Sequence, residues 1–158
     1  PMQQVSKTML RLNWIILVVV ILAALVKVMA VFDLEMMRTA HEDRFPVELA
    51  DYLDETPPSG KMFNSYNWGG YLMFAAPDVP VYVDGRTDLY DDAFLRDYLD
   101  VAFAREGWDT ALDEQEIAFV VLEAESLLAT ALRTHPDTWR EQQFDAGRSA
   151  LFVRASTP

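Results

Sequence analysis

The chain is 158 residues long and 51% hydrophobic, with 25 acidic and 13 basic side chains and a net charge of −12. A surface this acidic repels phosphate, which excludes nucleic acid as a partner. An aromatic content of 12% argues against a disordered chain, and the lack of Cys excludes disulfide and thiolate–zinc frameworks.

The averages hide an uneven distribution. Residues 1–32 hold no Asp or Glu and three cations, Lys7, Arg11 and Lys27. Residues 33–158 hold all 25 acids against 10 bases, a net of −15. A short cationic, apolar segment therefore precedes an acidic part whose length suits one domain with its own core.

Residues 12–32 read LNWIILVVVILAALVKVMAVF, interrupted only by Asn13 and Lys27. As a helix this run spans roughly 31 Å, the thickness of a bilayer's hydrocarbon core. Trp14 sits where an interfacial aromatic belongs, and Lys27 lies close enough to the end to snorkel toward headgroups. A cleaved signal peptide has a shorter core and a small-residue cleavage site, and residues 28–32 (VMAVF) are a poor one. The segment reads as a transmembrane helix at 12–32 behind a cytoplasmic flank at 1–11. Lys7 and Arg11 before it, with Asp33 and Glu35 after it, direct the acidic domain out of the cytoplasm.

Residues 33–44 read as a connector that is able to continue the helix. Pro46 suits a first helical position, and Val47, Leu49, Ala50 and Leu53 form an apolar face through about Glu55. The stretch 56–60 (TPPSG) ends that helix. A strand is predicted at 61–65, then a helix starting at Trp68 or Gly69 and running to Ala76, with Asn67 as its cap. A short buried strand follows at 81–83 and ends at Asp84-Gly85-Arg86. Helices are predicted at 92–106, 108–114 and 126–133. The unbroken apolar run 117–122 (IAFVVL) implies a strand buried on both faces. Segments 139–144 and 150–154 flank a Gly-containing loop as a β-hairpin. The alternation predicts an α/β fold: one N-terminal transmembrane helix, then a three-layer α/β domain over 45–158, with a mixed sheet and a C-terminal β-hairpin.

The densest polar and aromatic patch is 63–90, FNSYNWGGYLMFAAPDVPVYVDGRTDLY. Ligands of open α/β sheets favour the carboxyl ends of strands. Two such ends fall here, at 64–67 and 84–88, so the candidate ligand-binding residues are Asn64, Tyr66, Asn67, Trp68, Gly69, Gly70, Tyr71, Asp84, Arg86, Asp88 and Tyr90. Gly69 and Gly70 admit two readings. They bare backbone N–H groups for an anion, with Arg86 adding a fork, or they let a short helix pack closely while Trp68 and Tyr71 anchor the core. Packing is the preferred reading. Asp84 is well placed to bond turn amides. Asp88, or Asp91 with Asp92, suits the cap and first turn of the next helix. There is no GxGxxG, Walker lysine, HExxH or GxSxG pattern, so no cofactor, metal or catalytic constellation is expected.

From Phe45 to Arg154 the chain resembles a domain of large bacterial polytopic membrane proteins, where it follows the last transmembrane helix. Those proteins are similar to GT-C glycosyltransferases of the dolichyl-phosphate-mannose protein mannosyltransferase-like group. The resemblance rests on Phe45-Pro46, on the run from Phe63 to Leu72 (FNSYNWGGYL) and on that from Val83 to Tyr90 (VDGRTDLY). Trp108 with Leu112-Asp113, the strand 117–122, Trp139 and Leu151-Phe152-Val153-Arg154 complete it. It implies a cell (inner) membrane location with the soluble domain outside. It also implies neighbouring transmembrane helices of the same or a partner protein, and a glycan or polyprenyl-phosphate-linked sugar as ligand, besides the lipid bilayer itself. A remoter likeness is to the soluble domain of oligosaccharyltransferase catalytic subunits, whose Trp-Trp-Asp-Tyr-Gly-Tyr motif helps bind the acceptor peptide. Aligning Gly70-Tyr71 with its end sets Trp68 where that family has Asp, so the key carboxylate is missing.

Three functional expectations follow. The first is an extracytoplasmic accessory or substrate-side domain of a GT-C-like membrane glycosyltransferase, not catalytic by itself, with this chain as the C-terminal piece of a longer protein. The second is a single-pass, membrane-anchored ligand-binding module with its site between 66–71 and 84–88. The third is an independent metal-dependent enzyme using Asp84 and Asp88.

Overall fold

The computed structural model of the chain describes residues 7–31 and 34–155. The first residues of the expected flank, the expected helix end at Phe32, Asp33 at the head of the connector, and residues 156–158 lie outside the described residues. The chain divides into two units between His41 and Glu42.

The first unit carries α1, Lys7–Val31. Its stretch Lys7–Met29 has a mean hydropathy of 2.6 and is long and apolar enough to cross a membrane. The helix takes in Lys7 and Arg11, which the sequence reading had set apart as a flank. The connector is helical too, as α2, Leu34–Arg44.

The second unit is a three-layer α/β domain. Helix α3, Val47–Glu55, begins one residue later than expected, with Pro46 in the cap position. Strand β1, Lys61–Asn64, leads through a tight turn into α4, Gly69–Ala75. A 3-10 turn at Thr87–Leu89 precedes α5, Asp92–Ala102, which Asp91 caps by accepting from the Phe94 amide. The expected extension of α5 to residue 106 is absent, because Ala104 turns into left-handed backbone at φ 49° and the Phe103 amide closes the helix on Leu99. Helix α6 is Trp108–Glu114, and β2 is Ile117–Glu123. Ser126 caps α7, Leu127–Arg133, before the hairpin of β3, Trp139–Phe144, and β4, Ser149–Arg154.

The sheet order is β1-β2-β4-β3. Strand β1 runs parallel to β2, while β2–β4 and β4–β3 are antiparallel, giving the mixed sheet and terminal hairpin expected. Strand β2 is central and buried on both faces. Val120 and Leu122 join Phe63, Phe152 and Leu128 beneath α5–α7. Phe119 and Val121 join Met62 and Leu151 beneath α3 and α4. Burying each large side chain contributes about 1.5–3 kcal/mol, so the two-sided apolar run is the domain's main anchor.

The expected strand at 81–83 is not part of the sheet. Pro80 has no N–H to offer a ladder and Asp84 opens a turn, so too few residues remain for regular pairing. The Asn64 side chain stands in for a strand neighbour. Its Oδ1 accepts from the Tyr82 amide at 2.8 Å and the Val83 amide at 3.3 Å, and its Nδ2 donates to the Val83 carbonyl at 2.8 Å.

Candidate functional site

Parallel pairing of β1 and β2 brings their carboxyl ends to one edge, and the chain continues the register when the Ser65 amide donates to the Val121 carbonyl at 2.9 Å. There, Glu123 at the end of β2 gathers the 65–67 turn. Its Oε1 accepts from Ser65 Oγ at 2.8 Å and from Asn67 Nδ2 at 3.3 Å. Below them Tyr98 of α5, only 5% exposed, receives the Tyr66 amide on its hydroxyl oxygen at 2.8 Å and donates to the Asn64 carbonyl at 3.4 Å. Burial pushes the Tyr98 phenol up to about 12, outweighing the Tyr66 amide, so the ring stays neutral.

This edge opens onto a groove of about 690 Å³ between the 65–67 turn, α5 and the start of α7. Its walls are apolar, from Leu95, Leu99, Phe103 and Leu127, and its polar end holds Ser65, Tyr66, Asn67, Glu123 and Glu125. The volume is in the range that takes a small ligand. A second, more polar pocket of about 510 Å³ is lined by Asp43, Arg44, Phe45, Trp68 and Arg148, and again by Asn67 and Glu123. Asn67 and Glu123 therefore border both. In the second pocket Arg148 is already paired with Asp43 at 2.8 Å.

The predicted site residues separate into three groups. Tyr66 and Asn67 line the groove, and Thr87 joins them. Asn64, Trp68 and Gly69 are buried parts of the scaffold. A Cβ on Gly69 would stand 2.0 Å from the Val83 carbonyl oxygen, so this glycine exists for close packing. Gly70 has open space around its Cα and needs no such account. Helix α4 has seven residues and its cap position is Trp68, without a side-chain cap bond. Asn67 does not cap it as expected, because the cap position falls one residue later; its side-chain amide donates to Glu123 instead. Tyr71 sits in the α3–α4 layer, stacked on Phe45 at 4.7 Å, and burial, Asp51 and Asp145 raise its phenol pKa.

The third group is the 84–90 loop. Asp84 and Arg86 pair. The backbone turns at Gly85, so Arg86 Nε donates at 3.1 and 3.2 Å and Nη2 at 2.6 Å to the Asp84 carboxylate. The Arg86 amide adds a bond at 2.9 Å, which is the turn-amide role foreseen for Asp84. Asp84 is buried, and the Arg86 guanidinium beside it holds its carboxyl down at about 2 against the opposing effect of burial. Tyr90 accepts the Asp84 amide at 3.2 Å and stacks on Phe94 at 4.9 Å. Asp88 is exposed in the 3-10 turn. Among the described residues, no group of three or more His, Asp or Glu is placed to hold a metal ion. Asp84 uses both carboxylate oxygens on Arg86.

Glu123 and Tyr98 are the site residues that sequence reasoning missed. Glu123 directly follows the apolar run 117–122, so applying the strand-end rule to that strand would have found it. Tyr98 was read only as part of an apolar helix face.

Compared with known proteins, the chain matches no family model, and no curated protein or solved structure matches it.

Proposed function

We propose that the chain is a membrane-anchored, extracytoplasmic substrate-side domain of a GT-C-like glycosyltransferase, without catalytic chemistry of its own. The observation that carries this reading is the convergence of Tyr66 and Asn67 with Ser65 and Glu123 on one groove at the carboxyl ends of β1 and β2. The paired motifs 63–72 and 83–90, on which the resemblance rests, build that edge. The first supplies its polar turn, and the second is clamped to it through Asn64. The apolar helix α1 supports a membrane anchor, and the cations Lys7 and Arg11 at its start support a cytoplasmic N-terminus. Of the two ligands the resemblance adds, a glycan or a polyprenyl-phosphate-linked sugar, the acidic end of the groove favours the glycan.

Two measurements test this reading. Alkaline extraction of bacterial membranes should leave the intact chain in the bilayer. A product cut after residues 28–32 and released in soluble form would convert the anchor into a signal sequence. The genomic reading frame upstream of Pro1 should encode further apolar spans with an acidic extracytoplasmic loop. A stop codon and promoter directly upstream would overturn the glycosyltransferase context and leave a single-pass binding module.

A further inference from the structure

We propose that the groove selects an amphiphile with a neutral, hydroxyl-bearing head, such as an alkyl glycoside, and rejects one whose head is a phosphate. The inference deepens the substrate-side reading and rests on it for the choice of a saccharide head. The selectivity itself rests on the groove's chemistry.

The polar end of the groove carries two carboxylates and free acceptor atoms. Glu123 Oε1 is occupied by Ser65 and Asn67, while Glu123 Oε2 and Asn67 Oδ1 make no hydrogen bond among the described residues. Glu125 adds a second, exposed carboxylate, and among the described residues no Lys or Arg lines this groove. A head group that donates hydrogen bonds, as sugar hydroxyls do, satisfies these acceptors. A phosphate would meet two carboxylates without a counterion, inside a domain that is already strongly acidic. Tyr66, half-buried at the same end, offers an aromatic ring against which the C–H face of a sugar packs.

The rest of the groove is mainly apolar and open to solvent, with Thr87 and Ser126 also in its lining. Leu99, Phe103 and Leu127 are 39%, 49% and 59% exposed. These three side chains lie on α5, just beyond its end, and on α7, and they converge on one cavity. An alkyl or other apolar body would cover them, and the saccharide would lie at the Glu123 end. Arg44 and Arg148 line the neighbouring pocket and not this groove, and Arg148 is paired with Asp43 at 2.8 Å.

The test uses the full chain in lipid nanodiscs, with calorimetric titration of hexyl β-glucoside and hexyl phosphate and subtraction of empty discs. The glucoside should bind saturably, and the phosphate about tenfold more weakly or not at all. Leu127→Ser, at an exposed position, should weaken glucoside binding without unfolding the domain. Glu125→Lys should narrow the gap between the two heads by admitting the phosphate. Equal or tighter binding of the phosphate, no saturable binding of the glucoside, or glucoside binding unchanged by Leu127→Ser would each overturn the proposal. These readouts do not depend on what is encoded upstream, so the groove's selectivity and the glycosyltransferase context fail separately.

Discussion

The side chain of Asn64 pairs with the backbone of Val83 as a strand would, donating to its carbonyl at 2.8 Å and accepting from its amide at 3.3 Å. One buried amide thus fastens the segment before the Asp84–Arg86 loop to the end of β1. Asn64→Ala leaves the Val83 amide and carbonyl, and the Tyr82 amide, without these partners. The expected cost is about 2–4 kcal/mol of domain stability, from several buried polar groups left unsatisfied. Asn64→Asp keeps the acceptor but sets a carboxylate against the Val83 carbonyl, so it should also destabilise. Urea unfolding of the full chain in mild detergent, followed by tryptophan fluorescence, measures both. Wild-type stability for Asn64→Asp would show that the donor half of the pair carries no weight.

Gly69 and Gly70 are adjacent in sequence and opposite in consequence. Gly69→Ala drives a methyl group to 2.0 Å from the Val83 carbonyl oxygen, forcing α4 away from the 81–84 segment. A loss of about 2 kcal/mol or more is expected, as for other overpacked sites. Gly70→Ala meets open space and should be neutral or stabilise the helix by about 0.5–1 kcal/mol. Comparable melting temperatures for the two variants would contradict the packing assigned to Gly69.

Helix α3 has no cap of its own, because Pro46 holds that position. The cap arrives from the β3–β4 turn. Asp145 Oδ1 accepts from the Glu48 amide at 2.9 Å, Glu48 Oε2 accepts from the Asp145 amide at 2.5 Å, and Ser149 Oγ donates to Asp145 Oδ2. Asp145→Ala should therefore cost about 1–3 kcal/mol. Hydrogen exchange should rise at the first turn of α3, far away in sequence. Increased exchange confined to the hairpin would refute the long-range cap.

The Asp84 carboxyl has a folded pKa of about 2 against an unfolded 3.8, so its ionised form favours the folded state. Its contribution is fully present above the unfolded value and is lost as pH falls from about 4 toward 2. Arg86→Gln removes the principal cause of the depression. Stability near neutral pH should then fall, and the drop in stability between about pH 4 and 2 should shrink, because the folded carboxyl no longer holds its proton less tightly than the unfolded one. An acid limb unchanged by Arg86→Gln would mean that the pair does not hold the carboxyl down.

Much of the fold was legible because it depends on local pattern. The unbroken run 117–122 implied a doubly buried strand, and it is the central β2. Trp108–Glu114 formed as the periodicity suggested, and the hairpin followed from its Gly-containing loop. Segment 81–83 misled because a short apolar run marks burial and not sheet membership, and a side chain from β1 satisfied its backbone instead. The site was half legible for a similar reason. Tyr66 and Asn67 stand at a strand end within one motif, whereas Glu123 and Tyr98 reach the same place from elements far along the chain.

By itself the sequence determined the division into an apolar cationic helix and an acidic domain, and the number and kind of most elements. Composition and periodicity act over a few residues and carry that information directly. Tertiary structure alone decided that Asn64 holds the 81–83 segment, that Asn67 serves Glu123 and not α4, and that Asp145 caps α3. In each case a polar group bonds the partner that burial brings within about 3 Å, and chain folding selects that partner over the nearest one in sequence.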